Sequence, residues 1–100
     1  MNVRKRSGKV VPFNEDFISR AIALASAAAG EMDQTMVKEA TELTVSRLKD
    51  MGTDILDIEK IQDTVEETLF EQKYYKTAKA YILYRIEKDK ERAGGSWEDG

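Results

Sequence analysis

Four stretches of the chain repeat apolar residues at the spacing of one helix face, and each is closed by a glycine, a capping residue or a break in phase. Phe17, Ile18, Ala21, Ile22, Ala25, Ala28 and Ala29 form the first stripe, stopped by Gly30. Met36, Val37, Ala40, Leu43, Thr44, Arg47 and Leu48 form the second, before Gly52. Ile58, Ile61, Val65, Thr68 and Leu69 form the third, and Ala78, Tyr81, Ile82 and Arg85 the fourth. The spacing predicts helices near 14–29, 34–50, 57–72 and 75–92. Asn14 is the expected N-cap of the first, since its side-chain oxygen can accept an otherwise orphaned amide hydrogen. Glu15 and Asp16 then sit in the first turn, where the helix dipole favours acids. Phe13 and Ile18 are placed for a hydrophobic staple. The second helix is expected to begin at Asp33 or Thr35, and Asp57 to cap the third.

Ahead of the helices, Val3 to Phe13 reads as a β-hairpin. Ser7-Gly8 supplies a turn in which glycine takes a positive φ at little cost. Val3, Val10 and Val11 are β-branched strand formers, and Pro12 ends the second strand or lies on an edge. The expected fold is therefore mainly α: a four-helix bundle capped by an N-terminal β-hairpin or small sheet. Residues 1–92 are read as one domain and 93–100, which begin Ala93-Gly94-Gly95-Ser96 and hold Trp97, as a linker or tail.

Composition narrows the chemistry. Of the 100 residues, none is cysteine or histidine. That excludes disulfides, thiolate or imidazole metal sites and Cys- or His-dependent nucleophiles from this chain. The net charge of −3 is unevenly spread. Residues 1–14 hold Arg4, Lys5, Arg6 and Lys9 and no acid, while the remaining twelve Lys and Arg face nineteen Asp and Glu. A basic edge on an acidic body suits one small polyanion better than a nucleic-acid duplex, which needs a broad basic face. No apolar run is long enough for a membrane span and no signal peptide is visible, so the expected location is the cytoplasm.

A phosphate site needs donors and positive charge converging where water is partly excluded. The turn flanked by Lys5, Arg6 and Lys9 offers both, although no G-x-x-x-x-G-K-[ST] loop occurs. Strand alternation would send Lys5 and Arg6 to opposite faces, so both reach one ligand only near the turn or across an edge. Taken alone, such a doublet is also an ordinary solvated edge, where lysine discourages aggregation. Tyr74, Tyr75, Tyr81 and Tyr84 could stack on a base, but such residues more often pack in a core. The acids Glu66-Glu67 and the run Glu87 to Glu91 read as solvated helix faces. No catalytic residue set and no metal site emerge.

Three segments together resemble the ATP-cone domain of ribonucleotide reductases. Val3-Arg4-Lys5-Arg6-Ser7-Gly8 through Phe13-Asn14 is similar to the family's V-x-K-R-x-G…F opening. Asp57 to Glu66 resembles its E-x-I-Q-D-x-V-E segment, and Ala78 to Arg85 matches A-K-A-Y-I-L-Y-R without a break. The likeness is greatest to the N-terminal cone of anaerobic or cobalamin-dependent reductases. It implies a regulatory domain that binds ATP or dATP, with Mg2+, as an allosteric effector. It implies phosphates held by Lys5 and Arg6, and a base and sugar lined by Val3, Phe13, Asn14 and Ile18. Ile58, Ile61 and Gln62 match the third-helix start that approaches adenine, and Tyr84 and Arg85 close the far wall. The implied partners are an adenine nucleotide, a reductase catalytic domain or subunit, and a second copy in a homo-oligomer. The sequence departs from the family at Ser7, where Asp is usual, and at Phe17, where a phosphate-binding Lys or Arg is common. That departure motivates an alternative, a helical interaction module that has lost nucleotide binding. The basic hairpin motivates another, a nucleic-acid-binding accessory domain.

Overall fold

A computed structural model describes residues 1–94, with side chains through residue 88. Its order is β1 (Asn2–Arg4), β2 (Val10–Pro12), α1 (Asp16–Ala29), α2 (Gln34–Asp50), β3 (Ile55–Asp57), α3 (Ile58–Glu71) and α4 (Tyr75–Gly94). The expected mainly α bundle with a small N-terminal sheet is what forms. α1 packs on α2 and α4, and α3 packs on the same two helices from the other side.

The sheet has one strand more than the expected hairpin. β1 lies in its centre, antiparallel to β2 with Val3 opposite Val11, and parallel to β3 with Val3 opposite Leu56. A three-residue strand that runs straight into a helix cap is too short to show a period of two, which is why β3 escapes the sequence pattern. Val3 and Leu56 point inward and are buried, with Ile18 and Ile22 of α1, Val45 and Leu48 of α2, Ile61, Val65 and Leu69 of α3, and Ala78 and Tyr81 of α4. Apolar stripes and buried faces do not coincide everywhere. Phe17, Ala28 and Met36, expected on inner faces, are exposed.

The helix ends differ in detail from expectation. α1 starts two residues after Asn14, with Glu15 as N-cap; Asn14 still works locally, its Oδ1 accepting from the Asp16 amide at 3.0 Å. Asp33 caps α2 through the Met36 amide at 2.8 Å. Asp57 occupies the N-cap position of α3 without capping it, because its carboxylate accepts from Arg4 Nη1 at 3.1 Å instead. α3 ends in a Schellman pattern, with Lys73 N–H to Phe70 O and Tyr74 N–H to Leu69 O, around a non-glycine residue at φ +65°. α4 continues to Gly94, past the expected end at 92. Residues 95–100, which hold Trp97 and most of the expected linker or tail, lie outside the described residues. Among the described residues no helix is long and apolar enough to cross a membrane.

The first turn of α4 is capped from afar. Glu31, in the connection between α1 and α2, accepts from the Thr77 amide through Oε1 at 2.8 Å. Desolvation pulls the Glu31 carboxyl upward, but the amides of Thr77 and Lys76, the Thr77 hydroxyl and the Lys76 charge outweigh it. The carboxyl therefore sits below its ordinary value of 4.5. A depressed acid stabilises the folded state fully above its unfolded pKa and loses that contribution as pH falls through the folded value. Glu31→Gln should therefore lower stability by about 1 kcal/mol at pH 7, the usual worth of a cap. Chemical denaturation of both proteins from pH 7 to pH 3 should show the gap closing as the acid limb is entered.

Candidate functional site

Where the sheet meets α1, α3 and α4, the chain leaves a pocket of about 210 Å³. Its position follows from β1. Strand geometry ends at Arg4, and the chain turns through Arg6-Ser7-Gly8 to meet β2, with Lys5 N–H to Lys9 O at 2.8 Å and Gly8 N–H to Lys5 O at 2.9 Å. This is a three-residue hairpin loop whose last residue needs a left-handed backbone, and Gly8 provides it at φ +92°. Lys5 and Arg6 thus lie beyond the strand, where alternation no longer separates them, and both line the pocket. They meet one pocket beside the turn, an arrangement in which alternation lets both reach a single ligand.

All eleven residues singled out in the sequence line this one pocket. Val3 comes from β1, Lys5 and Arg6 from the loop, and Phe13 and Asn14 from the connection to α1. Ile18 is the α1 contribution; Ile58, Ile61 and Gln62 come from α3, and Tyr84 and Arg85 from α4. Residues more than 50 positions apart in sequence are joined by direct contacts. Arg6 Nη2 donates to Gln62 Oε1 at 3.0 Å, and Arg6 Nη1 lies 3.8 Å from Glu59 Oε1.

Sequence reading missed other lining residues. Val11, Ala21 and Val65 complete the apolar wall, and Tyr81 adds a buried ring whose phenol burial pushes well above its ordinary range. Lys88 lines the pocket too, its Nζ 5.7 Å from the centroid of the Tyr84 ring. Tyr81, Tyr84, Arg85 and Lys88 share one helix face, so extending the fourth stripe by a turn would have found Lys88. The charged run from Glu87 to Glu91 concealed it. Phe17, a departure from the family pattern, stands at this pocket 59% exposed. The tyrosines divide: Tyr81 is core, Tyr74 packs against it, Tyr75 is half exposed beside Phe70, and Tyr84 is pocket wall.

Of the acids read as solvated faces, Glu67 and Glu87 are exposed, but Glu66 needs correction. Arg85 Nη1 donates to Asp63 Oδ1 at 2.9 Å and to Glu66 Oε2, so Glu66 is partly buried against α4. Desolvation pulls the Arg85 pKa down, but Glu66 and Asp63 more than offset it, so the guanidinium is held more firmly protonated than usual.

Every charged residue among the described ones that lines the pocket is a cation: Lys5, Arg6, Arg85 and Lys88. The rest of the wall is mainly aliphatic and aromatic. Such a cavity suits a ligand with an anionic end and a flat, poorly charged end.

Residues 1–90 match the ATP cone domain family. The chain belongs to that family. It is 36% identical to the anaerobic ribonucleoside-triphosphate reductase of Salmonella typhimurium and 38% identical to that of Escherichia coli, each over 91% of the chain and 12% of the relative. It is also 38% identical to the vitamin B12-dependent ribonucleoside-diphosphate reductase of Thermoplasma acidophilum, over 92% of the chain and 13% of that protein. The cone thus spans about an eighth of the length of these reductases.

Because Lys5 and Arg6 hang on the hairpin loop, the loop conformation should matter to both fold and site. A Cβ at Gly8 meets nothing within 4 Å, so Gly8→Ala tests the backbone alone. The variant should lose about 1 kcal/mol of stability through the positive φ. Thermal unfolding, compared with Ser7→Ala as a control in the same loop, would measure it.

Proposed function

We propose that this chain is an effector-sensing domain that binds ATP or dATP in the pocket between the sheet, α1, α3 and α4. It would thereby control the activity or the oligomeric state of a ribonucleotide reductase. The observation that supports this most is the joining of four cations to an aromatic and aliphatic wall in a single cavity, within a chain of the ATP cone domain family. Lys5 and Arg6 would take the phosphates. Phe13, Ile18, Ile58 and Ile61 would enclose the base and sugar. Among the described residues no three acidic, histidine or cysteine side chains converge to hold a metal. Mg2+ would therefore arrive on the phosphates, which are its usual ligands when a protein supplies few.

The domain would act without chemistry of its own. Phosphoryl transfer needs an oriented water and neutralisation of a leaving phosphate, and the pocket's cations are set beside apolar walls rather than around a catalytic base. Regulation requires only that the nucleotide bind one conformation or assembly better than another, a coupling typically worth about 1–3 kcal/mol. The same reciprocity demands that association with a reductase catalytic domain, or with a second copy, tighten nucleotide binding by an equal factor.

Calorimetry with Mg-ATP and Mg-dATP tests the binding. Partly desolvated contacts to a charged group are worth about 1.5–3 kcal/mol each, so Lys5→Ala with Arg6→Ala should weaken ATP at least tenfold while helical circular dichroism stays unchanged. Equal affinity in the double variant would place the phosphates elsewhere. No binding by the unaltered chain would favour the alternative of an interaction module. Purified protein should show no ATP turnover.

Phe17 offers a gain-of-function counterpart. Placing a cation at this exposed rim position, Phe17→Lys, should tighten ATP about two- to fivefold, the range for a solvent-screened ion pair. The gain should shrink as salt is raised from 50 to 500 mM.

A further inference from the structure

Among the described residues the three most exposed large apolar side chains are Leu83, Phe17 and Leu24, at 64%, 59% and 57%. All three belong to α1 or α4, which pack along each other. Phe17, Leu24 and the exposed Ala28 recur at helical spacing on one face of α1. That face is set beside α4, because Phe17 and Tyr84 line the same pocket. Apolar residues scattered singly over a surface are ordinary, but a group on two adjoining helices marks a contact.

The α4 side of this patch carries its own complement. Lys79, Leu83 and Glu87 stand four residues apart and are all exposed, so they form one ridge of the helix surface. Among the described residues neither Lys79 nor Glu87 makes an ion pair. Leu83 is the midpoint of the ridge. A second α4 laid antiparallel across the first at Leu83 brings Lys79 of each copy opposite Glu87 of the other. Two-fold rotation maps this arrangement onto itself, which is the condition for an isologous contact. A parallel crossing would set lysine against lysine and glutamate against glutamate. Helices that meet by four-residue ridges cross at about 50°, so they part within about two turns of the crossing. Exposed Ile86 then falls inside the contact and exposed Lys76 at its edge. From α1, Arg20 adds one exposed cation at the rim, whereas Asp16 lines the groove towards α2.

We propose that the outer face of α1 and α4 docks a second copy of this chain, crossed antiparallel at Leu83, with Lys79 and Glu87 paired across the two-fold axis. With three large apolar side chains from each copy the interface is small, so the dimer is weak. The contact does not depend on the nucleotide reading. It goes beyond that reading by naming a surface for association, one that reaches the pocket rim at Phe17.

Sedimentation of the full chain without nucleotide, from about 10 µM to about 1 mM, tests it. The unaltered chain should pass from monomer to dimer, and Leu83→Asp should weaken association at least tenfold. Lys79→Glu alone and Glu87→Lys alone should each weaken it about tenfold, since every change acts twice in a symmetric dimer. Lys79→Glu with Glu87→Lys in one chain should restore the dimer. An equimolar mixture of the two single variants should also dimerise, because every cross-pair is then opposite in charge. A chain that stays monomeric at the highest concentration overturns the proposal. So does a dimer that both single variants leave unchanged, or one that neither the double variant nor the mixture regains. Should Leu83→Asp fail to fold, the charge variants decide, since both of their positions are exposed. With no nucleotide in the experiment, failure here leaves ATP binding to be judged by its own titration.

Discussion

The hydrogen-bonded position of β1 is the constraint on which the rest depends. A three-residue strand is held from both sides, by β2 and by β3, and its one inward side chain, Val3, is buried in the core. Flanking backbone bonds extend the grip, from Asn2 N–H to Asp54 O at 2.7 Å and from Phe13 N–H to Met1 O at 3.0 Å. An isolated hairpin of this length would be marginal in water. Pairing with β3 ties it to the start of α3, and the Arg4–Asp57 ion pair lies along the same seam. The two residues that follow β1 are thereby delivered to one place. Lys5 and Arg6 are not a loose basic tail but the next step of an anchored strand.

The bundle below is held by two kinds of contact. Near the sheet, valine, isoleucine and leucine pack with no polar side-chain group to satisfy, beside the ring of Tyr81. Between α2 and α3 the buried face is rich in threonine. Thr44, Thr64 and Thr68 each donate to the carbonyl four residues earlier at 2.8 Å, so their hydroxyls need nothing from the opposing helix. That satisfies polar groups that would be costly if buried unpaired. Arg47 closes this interface at its edge, donating to Thr68 at 3.2 Å and pairing with Glu71. α2 contributes nothing to the pocket that holds Lys5 and Arg6.

Much of this was legible in the sequence because helical periodicity and glycine or capping punctuation agreed. The four helices appear within about two residues of their expected limits. The eleven site residues came from motif resemblance, and the fold brings them to one cavity although the segments lie far apart in the chain. What was not legible depends on long-range geometry. β3 is shorter than the pattern that would reveal it. Glu31 capping α4, Asp57 turning from its cap to Arg4, and Glu66 pairing with Arg85 are each contacts between elements, and local rules assigned those acids to nearby roles or to solvent. Lys88 was hidden because a charged run looks solvated until one face of it is known to border a cavity.

The pocket has walls from four separately anchored parts: the hairpin, the start of α1, the first turns of α3 and the middle of α4. A ligand that touches all four adds contacts between elements whose existing polar links include Arg4 to Asp57, Arg6 to Gln62 and Glu59, and Arg85 to Asp63 and Glu66. Each of these arginines reaches the Asp57–Glu66 segment that opens α3, so that segment is the common receiver of charge from β1, the loop and α4. An anion entering the cavity competes with the acids there for the same guanidinium groups. The small hairpin has the least buried surface to resist such a change, whereas the bundle core has the most. Displacement would therefore appear first in the loop and along the exposed rim near Phe17, and a partner resting on that rim would sense the ligand without the core having to move.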